Sequence, residues 1–292
     1  MSSLGPYAPW LALPVVLLSS LTSAGPRATQ SDPQQPLTAL LMRAGAFVRS
    51  IEVSLSTVIA DETYQQDLYP PSIPRSENRT LSQTLHSEVL FLWLPEKNGW
   101  LFVRNVRAVN ARIIPDSGDR LDRLLRDSRT DAIRYLQQLE EESSRFNIGP
   151  PRTTSDPTLG LQFLDPANQS RFTFSQIGQE KVDGSSATLI AFVEHQRPSA
   201  INVNNADAPA SGTFWVSQSD GTVLRTEINL TALMLRMVSM RVDFQKDAHL
   251  DTWVPVRMTE QYQRATDGEL TVTKASYGNF RRFDTSVTVV RP

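Results

Sequence analysis

The chain contains no cysteine, and that absence alone excludes several classes of site. Disulfide bonds, Cys-ligated zinc and iron–sulfur clusters all require thiolates, and so does a cysteine nucleophile. A lipid anchor attached to an N-terminal cysteine is excluded for the same reason. Because small exported eukaryotic domains usually carry disulfides, an exported chain without cysteine favours a bacterial periplasm or exterior.

A strong charge of either sign is also lacking. The 292 residues include 29 Lys and Arg against 31 Asp and Glu, for a net charge of −2. This balance gives no electrostatic reason to expect nucleic acid or an anionic membrane as a partner. Hydrophobic residues make up 40% of the chain, which is enough for one large β-rich domain or two small ones, with a sizeable core either way.

Local motifs that carry chemistry are missing as well. The three histidines (His86, His195 and His249) are scattered, and neither an HExxH, a GxSxG nor a P-loop occurs. We therefore predict no catalytic residue, no metal ligand and no cofactor. Glu62 and Glu260 fall on apolar faces, where we interpret each as half of a structural ion pair with an arginine.

The N-terminus has the composition of an export signal. Residues 1–24 carry no charged side chain, and an apolar run from Trp10 to Leu21 is too short to span a membrane. The small residues that end at Ala24 predict signal peptidase cleavage, although no basic residue precedes the run. An uncleaved anchor is the alternative. Residues 25–36 predict a flexible leader, and no transmembrane span is expected in the mature chain.

The mature chain is predicted to form a single domain over residues 37–292. Apolar residues at three- and four-residue steps predict one amphipathic helix from Leu37 to Gln66. A helical insert is expected at about residues 116–151. From Thr158 onward apolar and polar residues alternate, which predicts strands with one covered face.

Short turns between these runs predict antiparallel order. Asp183-Gly184, Asp220-Gly221 and Asp267-Gly268 each separate two strand-like runs, and Asn98-Gly99 separates Leu85–Leu94 from Trp100–Val109. The expected fold is α+β: a large curved antiparallel sheet, half-barrel-like, with the helix at 37–66 packed on its concave face.

The C-terminal region resembles a group of uncharacterised secreted bacterial proteins. The resemblance rests on Trp253 to Met258, with Glu260 and Tyr262, and on Tyr277 to Phe283; Gly160 to Leu164 and Ser211 to Val216 are similar too. More distantly, the layout is similar to the Lol-type superfamily of periplasmic lipoprotein carriers and receptors. The shared unit is Phe244 to Met258, a strand–turn–strand with Pro255 in its second strand. The resemblance implies a half-open barrel that wraps helices and holds acyl chains.

These observations favour a periplasmic or secreted, non-catalytic protein that binds an apolar ligand, a lipid or a lipidated partner, between sheet and helices. One alternative is a structural or assembly protein of the cell envelope that acts through protein–protein contacts. Another is a hydrolase whose dispersed site brings two carboxylates, or a histidine and a carboxylate, together. The residues predicted to line the ligand are Met240, Val242, Phe244, Val254, Val256 and Met258.

Overall fold

A computed structural model of the chain describes residues 34–71, 79–118, 120–121, 132–149, 155–203, 206–232 and 235–283. The predicted signal peptide and most of the predicted leader lie outside the described residues. Within these residues, the two long helices are α1 (Gln34–Ser54) and α2 (Ala132–Ser143), and the longest 3-10 helix covers Leu159–Leu164. The strands are β1 (Val58–Tyr69), β2 (Leu81–Leu94), β3 (Gly99–Val109), β4 (Arg112–Ile113), β5 (Phe172–Val182), β6 (Ser185–Glu194), β7 (Asn202–Val203), β8 (Ala206–Asp207), β9 (Ala210–Ser217), β10 (Val223–Ala232), β11 (Leu235–Asp247), β12 (Thr252–Arg264) and β13 (Leu270–Arg282).

Eleven of these strands form one antiparallel sheet in the order β4-β3-β2-β1-β13-β12-β11-β10-β9-β6-β5. The first described strand, β1, lies between β2 and the last described strand, β13. Strands β4 and β5 are the two ends of this order, and the sheet is not closed. The predicted α+β fold with a large antiparallel, half-barrel-like sheet is confirmed.

The first helix is shorter than the sequence predicts. It ends at Ser54, and β1 begins at Val58 after Thr57, whose backbone is left-handed with φ 66°. The prediction of helix up to Gln66 is wrong because Val58, Glu62 and Gln66 are four residues apart, a spacing that fits both one helical turn and two repeats of the two-residue strand period. The intervening Asp61 and Thr63 are exposed, which marks the period of two.

The inner face of the sheet and the apolar side of α1 share one core. Leu40 and Val48 of α1, and Leu55 directly after it, belong to the same buried cluster as residues from β1 to β13. At the β5 end, Phe163 of the 3-10 helix packs on Phe172 and Phe192, with ring centroids 4.9 and 5.5 Å apart. The space between α1 and the sheet is thus occupied by side chains.

The second helix packs at the other end of the sheet. Leu136 and Leu139 of α2 join Ile59, Leu90 and Val103 in a separate buried cluster. These strand residues alternate with residues of the inner core, so they point to the opposite face of the sheet. The predicted insert at about 116–151 contains α2, which positions the wall of the cavity described below.

Candidate functional site

A group of polar side chains lies on the inner face where β1, β13 and β12 run side by side. Glu62 of β1 pairs with Tyr277 of β13, and Glu260 of β12 pairs with Thr273 of β13. Tyr64 is the next inward residue on β1 and is fully buried. Alternation therefore turns a row of polar residues from three strands toward the core, where the surrounding inner face is apolar.

Glu62 forms a buried ion pair with Arg104 of β3. The Arg104 Nε donates to Glu62 Oε2 at 2.5 Å and Nη2 donates to Oε1 at 2.8 Å, a bidentate geometry. The side chains are 6% and 0% exposed. Burial by itself would lower the pKa of Arg104, but the charge and hydrogen bonds of Glu62 outweigh it and raise that pKa above its ordinary value. The expected arginine partner of Glu62 is confirmed.

Glu260 binds hydroxyl groups, and the expectation of an arginine partner is wrong. Its Oε2 accepts from Tyr64 at 2.8 Å, Ser155 at 3.0 Å and Thr273 at 2.7 Å, and its Oε1 accepts from Tyr262 at 2.5 Å. The residue is fully buried. Four hydroxyl donors replace water around the carboxylate, because the strand register brings short and aromatic hydroxyl residues to this point and carries Arg104 to Glu62.

A cavity of about 470 Å³ opens beside this polar group. One wall is strand β3 with Trp100, Phe102 and Arg104, and the other walls come from the end of α2 and from two segments, 155–162 and 200–202. Leu159 and Ile201 add apolar surface. A volume of this size lies within the range of small-molecule sites, and the lining combines aromatic, aliphatic and charged groups.

The carboxylates of the cavity wall have perturbed acidities. The pKa of Glu140 is raised to about 7 by burial and then by the charges of Asp156 and Glu141. The pKa of Asp156 is raised to about 6, chiefly by burial, although Thr158 donates to its Oδ1 from the backbone at 2.7 Å and from the hydroxyl at 2.6 Å. Two such carboxylates in one cavity are also what the hydrolase alternative requires.

Ser155 connects the cavity to the inner polar group. It lines the cavity and donates to Glu260, so the buried carboxylate anchors the segment that carries Asp156. Sequence reasoning missed the cavity residues of segment 155–162 and of α2, because no motif marks them. Two sequence features did point to this region. Trp100 and Phe102 are aromatic residues on the same face of one strand, and the alternation of buried and exposed residues around Glu62 turns its carboxylate inward.

The six predicted lining residues lie elsewhere. Met240, Val242, Phe244, Val254 and Met258 are at most 4% exposed and belong to the main core, and half-buried Val256 packs against it. A register shift between Asp243 and Phe244 leaves Val256 opposite no residue of β11. None of the six lines the cavity beside Arg104. Their role in lining a ligand remains a prediction.

Two kinds of site are absent from the described residues. Among them, no group of three or more His, Asp or Glu side chains could hold a metal ion. No helix in this part of the chain is long and apolar enough to cross a membrane.

The described features define a class: an open antiparallel half-barrel with a helix in its hollow and a mixed cavity at one end. No family model and no curated sequence matches the chain. Solved structures similar to it include a domain from Vibrio parahaemolyticus described as an outer-membrane lipoprotein-sorting protein, at 11% identity and TM-score 0.42, covering 85% of this chain and 94% of that one.

Two further structures show the same distant likeness. A DUF1329 family protein from Desulfovibrio piger matches at 11% identity and TM-score 0.37, covering 87% of this chain and 95% of that one. The Pseudomonas aeruginosa MucA/MucB complex matches at 9% identity and TM-score 0.22, with 82% and 99% covered. No ligand, partner or activity is taken from these likenesses.

Proposed function

We propose that the protein is a non-catalytic, exported binding protein that holds the apolar part of a ligand, a lipid or a lipidated partner, in the cavity beside β3. The observation that carries this proposal is the cavity of about 470 Å³ bounded by β3, the end of α2 and the segments 155–162 and 200–202, with Trp100, Phe102, Leu159 and Ile201 in its walls. The sequence also favours a ligand between sheet and helices, but the six residues predicted to line it are not among those of this cavity.

The cavity walls supply affinity for an apolar chain without a covalent or metal site. Each methylene group removed from water contributes about 0.8 kcal/mol. Burial of a ten-carbon chain against walls such as Trp100 and Phe102 would therefore supply about 8 kcal/mol, from which the entropic cost of association has still to be subtracted. The polar walls at Arg104 and Asp156 would meet the ligand's headgroup.

Export belongs to the same proposal. The uncharged apolar run of residues 10–21 supports a signal peptide, and a chain without cysteine suits the bacterial periplasm or exterior. A single domain from residue 37 onward, with its insert at about 116–151, would act there on lipids or lipidated envelope proteins.

The test is binding of the neutral fluorescent probe 1-N-phenylnaphthylamine to the purified mature chain. We expect its emission to rise on binding and to fall when decanol competes. Ala200 is exposed and lines the cavity, so Ala200→Trp fills the space and is expected to weaken probe binding at least tenfold, by about 1.4 kcal/mol.

The matched control is Ala46→Trp. Ala46 is exposed on α1, outside the cavity lining, so the same enlargement there leaves binding unchanged. Equal binding by both variants and the parent chain would place the probe elsewhere. No binding by the parent chain would refute the proposal.

A second candidate, partner binding through a sheet edge, is favoured by one observation. Within the described residues, strand β5 pairs only with β6, and Ile177 on β5 and Val193 on β6 are 58% and 57% exposed. A free strand can add an extended peptide from a partner protein. Ile177→Lys would abolish such a complex, measured by co-purification of a defined partner, and would leave probe binding in the cavity intact.

A further inference from the structure

The cavity walls carry more negative than positive charge. Glu140, Glu141 and Asp156 line the space, and the one guanidinium among the described lining residues is that of Arg104. Arg104 is already neutralised by its bidentate pair with Glu62. In the part of the chain that the structure describes, neither Glu140, Glu141 nor Asp156 forms an ion pair, so the cavity offers carboxylates and no free cation of its own.

Two of these carboxylates, Glu140 and Asp156, lie where their ionised forms are disfavoured. Burial and the charges of Asp156 and Glu141 raise the pKa of Glu140 to about 7, against a lesser lowering by Lys97. Burial raises the pKa of Asp156 to about 6, against a lowering by the Thr158 hydrogen bonds and the Arg104 charge. A carboxylate removed from water favours its neutral form unless an opposite charge lies within a few ångströms. A bound cation would supply that charge and relieve both groups together.

The aromatic walls favour the same kind of ligand. Trp100 and Phe102 line the cavity together with the carboxylates. The face of an aromatic ring attracts ammonium and guanidinium groups, and the Arg104 guanidinium already lies 5.4 Å from the Phe102 ring centroid. Aromatic rings together with carboxylates form a common receptor for quaternary ammonium groups.

We propose that the cavity is selective for amphiphiles with a cationic headgroup, a primary or quaternary ammonium, whose charge lies between Glu140 and Asp156 while the chain packs on Leu159 and Ile201. This rests on the proposed function, because it names the ligand class for the same cavity. Neutral and anionic amphiphiles with the same chain would bind through the apolar walls alone.

The test compares three ligands with a ten-carbon chain below their micellar concentrations: decyltrimethylammonium, decanol and decanoate. Each displaces 1-N-phenylnaphthylamine from the mature chain at pH 8, where both carboxylates are ionised. We expect decyltrimethylammonium to bind at least about tenfold more tightly than decanol, and decanoate to bind most weakly. Because the quaternary ammonium does not titrate, any pH dependence comes from the protein.

Two variants assign the preference to the carboxylates. Glu140→Gln and Asp156→Asn keep the size of the side chains, and the amide oxygen that Asp156→Asn introduces can still accept from Thr158. Each is expected to reduce the preference for the cation several-fold without changing decanol binding. Asp251→Asn is the control, since Asp251 is an exposed residue of the β11–β12 turn with φ 52°, a conformation that asparagine tolerates.

The outcomes separate the two proposals. Failure of all three ligands to bind would refute the proposed function itself. Equal binding of decyltrimethylammonium and decanol, or a preference for decanoate, would overturn the cation selectivity and leave the apolar cavity in place. A preference that survives both Glu140→Gln and Asp156→Asn, or that does not weaken between pH 8 and pH 5, would also overturn it.

Discussion

The buried pair of Arg104 and Glu62 gives the sharpest test of the structure. Arg104→Met leaves the Glu62 carboxylate buried without its partner, and Glu62→Met leaves the guanidinium without its counter-charge. The double variant removes both charges and keeps side chains of similar volume. The three variants together with the parent chain form a double-mutant cycle.

The expected magnitudes follow from burial. Because the side chains are 6% and 0% exposed, each single change should lower the free energy of unfolding by about 3–5 kcal/mol, the cost of an uncompensated buried charge. The double variant should cost much less, because replacing a buried pair by apolar groups is often close to neutral. Its residual cost of about 1 kcal/mol comes from the lost stacking of Arg104 on the Tyr64 ring, whose centroid lies 4.4 Å away.

Urea unfolding followed by tryptophan fluorescence measures these differences. A matched control is Arg241→Met, which breaks the pair with Glu227, where the side chains are 49% and 27% exposed. A surface pair of this kind contributes no more than about 1 kcal/mol. The difference between the two arginines is thus due to burial.

Additive effects of the two substitutions on the free energy of unfolding would refute the reasoning. If Arg104→Met costs as little as Arg241→Met, or if the double variant costs the sum of the singles, the two charges are not coupled in a dry environment. The inner polar group would then be open to water, and its part in supporting the cavity would have to be abandoned.

Three further predictions concern other parts of the domain. Gly212→Ala should destabilise strongly, by more than about 3 kcal/mol in urea unfolding, because a Cβ there would lie 1.9 Å from the Glu227 carbonyl oxygen; a small loss would show that β9 and β10 can separate. Glu260→Leu should cost at least about 3 kcal/mol, since four buried hydroxyl groups lose their acceptor, and unchanged stability would contradict the network. Burial and Asp165 raise the pKa of Glu52 from 4.5 to about 7, so the folded state favours the neutral carboxyl. The stability that this protonation contributes is complete below pH 4.5 and is lost as the pH rises through about 7. Glu52→Gln should therefore raise the thermal unfolding midpoint at pH 8 by more than at pH 4, and an equal effect at both pH values would count against it.

Local patterns predicted most of the sheet. The Asp-Gly turns are present, and Asp183 and Gly184 have the positive φ values, 46° and 85°, that a tight hairpin needs. The bounds of the strands before and after these turns agree to within a few residues with the runs of alternating apolar and polar residues, because that alternation is a local property of the sequence. At β1 the same kind of pattern gave a wrong prediction of helix, because a four-residue spacing fits both the helical period and two repeats of the strand period.

The candidate site could not be predicted in this way. Glu260 and Ser155 are 105 positions apart in sequence, and Glu62 and Arg104 are 42 apart. Nothing local in segment 155–162 indicates that it returns to the inner face of β12. The pairing of Glu62 with an arginine was expected from burial, but which arginine it meets depends on the strand order.

The sequence by itself determined which residues alternate, where the hairpins turn and which chemistries are impossible without cysteine. Only the tertiary structure decided that β1 lies between β2 and β13, that core side chains occupy the space beneath α1, and that a cavity opens beside β3. The physical reason is the distance along the chain over which the deciding interactions act. Periodicity and turn conformation are set by neighbouring residues, whereas the register that brings three strands, a helix end and a distant segment around one space is set by long-range packing.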